Sequence, residues 1–80
     1  MKIRVEAADT LFELLGGRET VDLELIDAST LLDALTALGI GHDAGYLLIV
    51  NDAVVPKAQR GGHLLTDGDV LQILPSLKGG

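Results

Sequence analysis

An α+β domain, one mixed sheet crossed by one main helix, is predicted by three observations on this 80-residue chain. Two segments before residue 27 alternate apolar and polar residues, the period of half-buried strands. A leucine-rich segment near residue 30 has helical spacing between a capping residue and a glycine. Two further apolar runs, each bounded by turn residues, close the chain. The length supports one small domain, residues 1–80, with a tail, 75–80, leaving it. No cysteine is present, so neither disulfides nor thiolate metal sites reinforce the fold. Aromatics are limited to Phe12 and Tyr46, which leaves the core to Leu, Ile, Val and Ala.

The elements follow in order. Lys2 to Ala7 puts Ile3, Val5 and Ala7 on one side and Lys2, Arg4 and Glu6 on the other. Thr10 and Glu13 have capping-box spacing, and Gly16-Gly17 end a single short helical turn. Glu19 to Ile26 alternates again, with Val21, Leu23 and Leu25 inward. Pairing of these strands would set Lys2 and Arg4 beside Asp22 and Glu24 on the outer face. Thr30 and Asp33 repeat the capping pattern, and Leu31, Leu32, Leu35 and Leu38 form one stripe. Gly39 stops that helix, which spans about residues 30–38. A loop leads to an apolar strand, Tyr46 to Val50, turned by Asn51-Asp52 into Ala53-Val54-Val55. A long connection, 56–68, ends in the turn Asp67-Gly68-Asp69, and Val70 to Leu74 is the last strand before Pro75.

Strand, strand, helix, strand, short strand, strand is the order of the β-grasp, or ubiquitin-like, arrangement. Its first and last strands lie parallel at the centre of the sheet. One helix covers one face only, yet the strand at 46–50 is apolar on both parities. With Tyr46, Leu48, Val50, Leu71 and Ile73 inward, Leu47, Ile49, Val70 and Leu74 face outward. Four uncovered aliphatics beside the root of the tail are candidate partner contacts. The alternative is that the 56–68 connection folds over them.

Composition excludes several functions. Twelve acidic against six basic residues give a net charge of −6, which disfavours nucleic acid and anionic lipid. Exposed aromatics for base stacking are missing. No apolar run reaches membrane-span length, and Met1-Lys2-Ile3-Arg4, followed closely by Glu6, does not make a signal peptide. A cytoplasmic protein is expected. Gly39-Ile40-Gly41-His42-Asp43-Ala44-Gly45 follows a helix and precedes a strand, the reverse of a phosphate loop. His42 and His63 lack a second ligand at useful spacing, and Asp67-Gly68-Asp69 lacks the further oxygens of a calcium loop. Neither a catalytic constellation nor a metal or cofactor site is predicted.

The chemistry points to the end of the chain. Pro75-Ser76-Leu77-Lys78-Gly79-Gly80 is a tail whose two terminal glycines form a thin stem, suited to threading into another protein's active site. A free carboxylate is a poor electrophile. Adenylation by ATP would activate it, and sulfur delivered to the acyl carbon would leave a thiocarboxylate on Gly80.

Three stretches resemble the ubiquitin-like sulfur carriers, which include the small subunit of molybdopterin synthase and the thiamine-pathway sulfur carrier. Val50-Asn51-Asp52-Ala53-Val54-Val55-Pro56 resembles their V-N-G-x-x-V-P hairpin. Leu65-Thr66-Asp67-Gly68-Asp69-Val70-Leu71-Gln72-Ile73 resembles L-x-D-G-D-x-V-x-I. Pro75 to Gly80 resembles P-P-x-x-G-G. Asp52 replaces the hairpin glycine, Ser76 replaces the second proline, and Val5-Glu6-Ala7-Ala8 lacks the phenylalanine-alanine pair common in molybdopterin members. Pro56-Lys57 leans toward the thiamine carriers, whereas length and the Leu11–Gly17 turn lean toward molybdopterin.

The resemblance implies a protein co-substrate, not an enzyme. Gly80 would be adenylated by an E1-like enzyme using ATP, thiocarboxylated from a sulfur donor protein, and presented to a synthase subunit. Gly79 would line the partner's channel with Gly80, while Lys78 and Leu77 belong to the tail and Leu77 would contact the partner. Leu47, Ile49, Val70 and Leu74 would hold the partner. Two other readings stay open: a ubiquitin-like modifier joined to lysines through Gly80, and a β-grasp interaction module with an inert tail.

Overall fold

The computed structural model describes residues 1–8, 11–41 and 45–75, with the backbone alone for Phe12. Thr10 of the first capping pattern, His42, and Leu77, Lys78, Gly79 and Gly80 of the tail lie outside the described residues. Among the described residues five strands form one sheet: β1 Lys2–Ala7, β2 Thr20–Glu24, β3 Leu47–Val50, β4 Ala53–Val54 and β5 Val70–Leu74. Their spatial order is β2-β1-β5-β3-β4, with β1 and β5 parallel and the other neighbours antiparallel. One helix, α1 Leu31–Leu38, packs on one face. This is the β-grasp arrangement expected from the element order.

The inward residues follow the alternation. Ile3 and Val5 of β1, Leu48 and Val50 of β3, and Leu71 and Ile73 of β5 are buried against Leu31, Ala34 and Leu35 of α1. Each such side chain contributes roughly 1.5–3 kcal/mol on full burial. Lys2 faces Glu24 and Arg4 faces Asp22 across β1 and β2, as predicted. Their charged groups do not close to within 4.0 Å and all four residues are exposed, so the pairs add little beyond a screened attraction.

Both ends of α1 are capped. The Thr30 hydroxyl accepts from Asp33 N at 3.2 Å, and the Asp33 carboxylate accepts from Thr30 N at 2.8 Å. Gly39 takes the left-handed conformation, φ 75°, its N–H donating to the Thr36 carbonyl while Ile40 N donates to Leu35 O. The predicted turn before β2 is a 3-10 helix, Phe12–Leu15.

Three details depart from local pattern. β2 stops at Glu24, and Ile26, predicted within the strand, is 83% exposed. Ala28 at φ 68° and the Ser29 hydroxyl donating to the Ile26 carbonyl turn the chain toward the helix at that point. The connection after β4 carries a 3-10 turn, Lys57–Gln59, and a bridge from Leu64 to Thr30. Within it Arg60 is 5% exposed and donates to the Tyr46 carbonyl at 2.6 Å, holding the entry to β3. Removal from water lowers the Arg60 pKa from the ordinary guanidinium value.

The β3–β4 turn carries a residue-level consequence. Asn51 and Asp52 have φ 49° and 69°, the two positive values of a tight two-residue hairpin turn. Asparagine tolerates that region, and aspartate less well than glycine. Asp52→Gly is expected to stabilise the domain by about 0.5 kcal/mol, a few degrees in Tm. Thermal unfolding checks it, and an unchanged or lower midpoint would contradict the strain.

Candidate functional site

The candidate site is the sheet face opposite α1. Register places its residues in transverse rows. Leu47 is opposite Leu74. Val54, Ile49, Gln72, Glu6 and Thr20 form the next row, read through four successive pairings. Val70, Arg4 and Asp22 form a third. Leu47, Ile49, Val70 and Leu74 are all half-buried, so each presents part of its side chain outward.

The structure brings Leu47, Leu74 and Ile49 together and adds Val54, 56% exposed, beside Ile49. Reading the sequence missed Val54 because β4 is two residues long, too short for alternation to declare a face. Val70 lies on the same face but across Gln72, which separates it from Leu74 along β5. The face is therefore an apolar band of β3, β4 and the end of β5, flanked by a charged half on β1 and β2.

The 56–68 connection lies on the other side. Leu31 N donates to His63 O at 2.9 Å, Leu32 N to Arg60 O at 3.1 Å, and Leu65 N to Ser29 O at 2.9 Å. Leu65 joins the core with α1. These bonds tie the connection to the start of the helix.

The hairpin and the last turn are joined by side chains. Asn51 Nδ2 donates to Asp69 Oδ1 at 2.8 Å, and Asn51 Oδ1 accepts from Val70 N at 2.9 Å. The second Asp69 oxygen accepts from Thr66 N at 2.8 Å. Lys2 N donates to Asp67 Oδ1 at 2.7 Å, and Gly68 N to Lys2 O at 2.8 Å. The two motifs read separately in sequence thus form one clasp that sets where β5 starts. β5 in turn leads to Pro75, the last described residue.

Among the described residues, no group of three or more His, Asp or Glu side chains is placed to hold a metal ion. No helix among them is long and apolar enough to cross a membrane.

Glutamate substitution tests the apolar band. Ile49→Glu or Leu74→Glu is expected to weaken partner binding by tenfold or more, with a smaller loss of folding stability, because both sites are half-exposed. Paired binding and thermal-unfolding measurements check it. Equal losses in both would mean that these side chains serve the fold alone.

A β-grasp domain with the ubiquitin-like strand order defines the class of small ubiquitin-like proteins. The chain belongs to the ThiS family, a family of small carrier proteins whose model matches residues 7–80. Solved structures share the fold at low identity. A Pyrococcus furiosus protein assigned to molybdopterin converting factor, subunit 1, is 20% identical with TM-score 0.78, covering 96% of this chain and 99% of that one. Small archaeal modifier protein 1 of Haloferax volcanii is 21% identical with TM-score 0.75, covering 95% and 98%. The complex of molybdopterin-converting factor subunits 1 and 2 of Helicobacter pylori contains a chain 23% identical with TM-score 0.64, and each chain is covered completely. No curated protein matches the sequence.

Proposed function

We propose that this protein is a sulfur carrier that works through its last residue. The observation that carries the reading is the extent of the family match, which runs through Gly79-Gly80 to the end of the sequence. An E1-like enzyme would join the Gly80 carboxylate to AMP from ATP, with pyrophosphate leaving. Sulfide equivalents from a donor protein would then attack the acyl carbon and displace AMP, leaving a thiocarboxylate. The carrier holds no cofactor of its own, and ATP is the activator's substrate. A synthase subunit would receive the tail and accept the sulfur, in molybdopterin-type or thiamine-type cofactor synthesis. The Helicobacter pylori complex supports such a partner by analogy. The acidic, cysteine-free chain suits a cytoplasmic setting.

The division of labour follows from physics. Affinity comes from the sheet face, and the slim glycines bring the reacting carbon into place. The test is intact mass after incubation with the cognate activating enzyme, ATP and a sulfide source. Replacement of one terminal oxygen by sulfur is expected, and an unchanged mass would overturn the proposal.

A second reading, protein modification through Gly80, is favoured by the likeness to the archaeal modifier. The same acyl-adenylate serves both fates. Lysine-linked adducts of a tagged copy, lost when Gly80 is removed, would establish it.

A further inference from the structure

The outer sheet face holds a depression where its apolar and charged halves meet. Glu6 and Gln72 are register partners on β1 and β5, and Gln72 Nε2 donates to Glu6 Oε1 at 3.4 Å. Beside them is a cavity of about 320 Å³ lined by Glu6, Asn51, Asp52, Val70 and Gln72. Its polar groups divide sharply by role. Asn51 is committed on both sides, donating to Asp69 and accepting from Val70 N. Gln72 directs its amide nitrogen to Glu6, which leaves its oxygen as an acceptor. The Glu6 and Asp52 carboxylates are acceptors only. Among the described residues, neither carboxylate has a basic side chain within 4.0 Å.

We infer that this depression receives an arginine side chain of the protein that docks on the outer face. The inference rests on the docking role assigned to that face, and it adds what the partner must present. A guanidinium carries donors and no acceptor, the complement of these walls. Its planar fork engages a carboxylate with two parallel bonds, which an ammonium does not. Val70 supplies apolar wall for the arginine stem. Ile49 is the register partner of Gln72 on β3, so the depression is continuous with the apolar band. The net charge of −6 draws a basic partner toward the chain. Arg4 occupies the same face of β1, with its cross-strand partner Asp22 on the side away from Gln72.

The experiment titrates the full chain, labelled for amide NMR, with acetyl-Leu-Arg-Leu-amide. Citrulline and lysine analogues, each differing at the central residue, are titrated in parallel. Saturable shifts of the Glu6, Val70 and Gln72 amides are expected with the arginine peptide. Citrulline keeps the shape and loses the charge, and is expected to bind about tenfold more weakly. Glu6→Gln, an isosteric change, and Asp52→Asn, at the hairpin tip, are expected to weaken the arginine peptide, with unperturbed spectra showing that both fold. No shift at these amides, equal binding of arginine and citrulline, equal binding of lysine, or indifference to Glu6→Gln would each overturn the inference. Capture of the site by Arg4 would give the first of these results. Sulfur loading of the wild type is read separately by mass. A chain that binds arginine but never loads refutes the carrier reading alone, and one that loads but does not bind refutes the arginine site alone.

Discussion

Deletion of Gly79 and Gly80 is expected to abolish sulfur loading and transfer completely while leaving the thermal unfolding midpoint unchanged. The two halves of that result have different causes. Without the glycines the acyl carbon belongs to Lys78, whose long side chain would have to enter a channel suited to a thin stem. The reacting carboxylate would also stop two residues short. Displacements far smaller than that cost orders of magnitude in rate. Stability, by contrast, is built before the tail. β5 ends at Leu74, Pro75 is exposed, and the buried core runs from Ile3 to Ile73. Intact mass after activation and a melting curve on the same sample check both halves. Loading at the wild-type rate would remove the basis for a terminal thiocarboxylate. A large fall in midpoint would mean that the deletion acts through the fold instead.

Asn51→Ala is expected to destabilise the domain by about 2–4 kcal/mol. The change removes the amide that holds Asp69 and the oxygen that accepts from Val70 N. The Asp69 side chain, in a residue only 7% exposed, then loses a charge-assisted partner at a site where water does not freely replace it. Alanine also tolerates the left-handed φ of 49° less well than asparagine. At roughly 4–8 °C per kcal/mol for a domain of this size, the midpoint falls by about 8–32 °C. Urea titration alongside thermal melting checks the magnitude. Asn51→Asp keeps the shape but sets a second carboxylate against Asp69, and a loss at least as large is expected. A change below about 0.5 kcal/mol for Asn51→Ala, the size of an ordinary surface substitution, would mean that the clasp adds nothing. Because the clasp sets where β5 begins, its loss should also impair loading in the fraction that remains folded.

Much of this was legible in order of residues. Period-two alternation located β1, and Val70 to Leu74 was bounded by a D-G-D turn and a proline, so β5 was found to the residue. Thr30, Asp33 and Gly39 marked α1 because capping is a local contest for the unpaired groups of a helix end. The outward positions of Leu47 and Ile49 followed from a strand apolar on both parities, and those of Val70 and Leu74 from the alternation of the last strand. Less legible was what else shares that face. Val54 and Gln72 flank Ile49 only once β4, β3 and β5 are in register. Ile26 continued an alternating pattern, yet the turn at Ala28 carries it into solvent.

Local periodicity and end chemistry therefore determined the elements, their order and the candidate reactive end, since each depends on residues within a few positions of one another. Tertiary structure decided the rest. Asn51 meets Asp69 eighteen residues on, and Arg60 reaches back fourteen residues to the Tyr46 carbonyl. The Glu6–Gln72 pair spans sixty-six. Contacts at such separations exist only after the sheet closes, because strand register, not sequence spacing, chooses which polar groups are buried side by side and must satisfy one another.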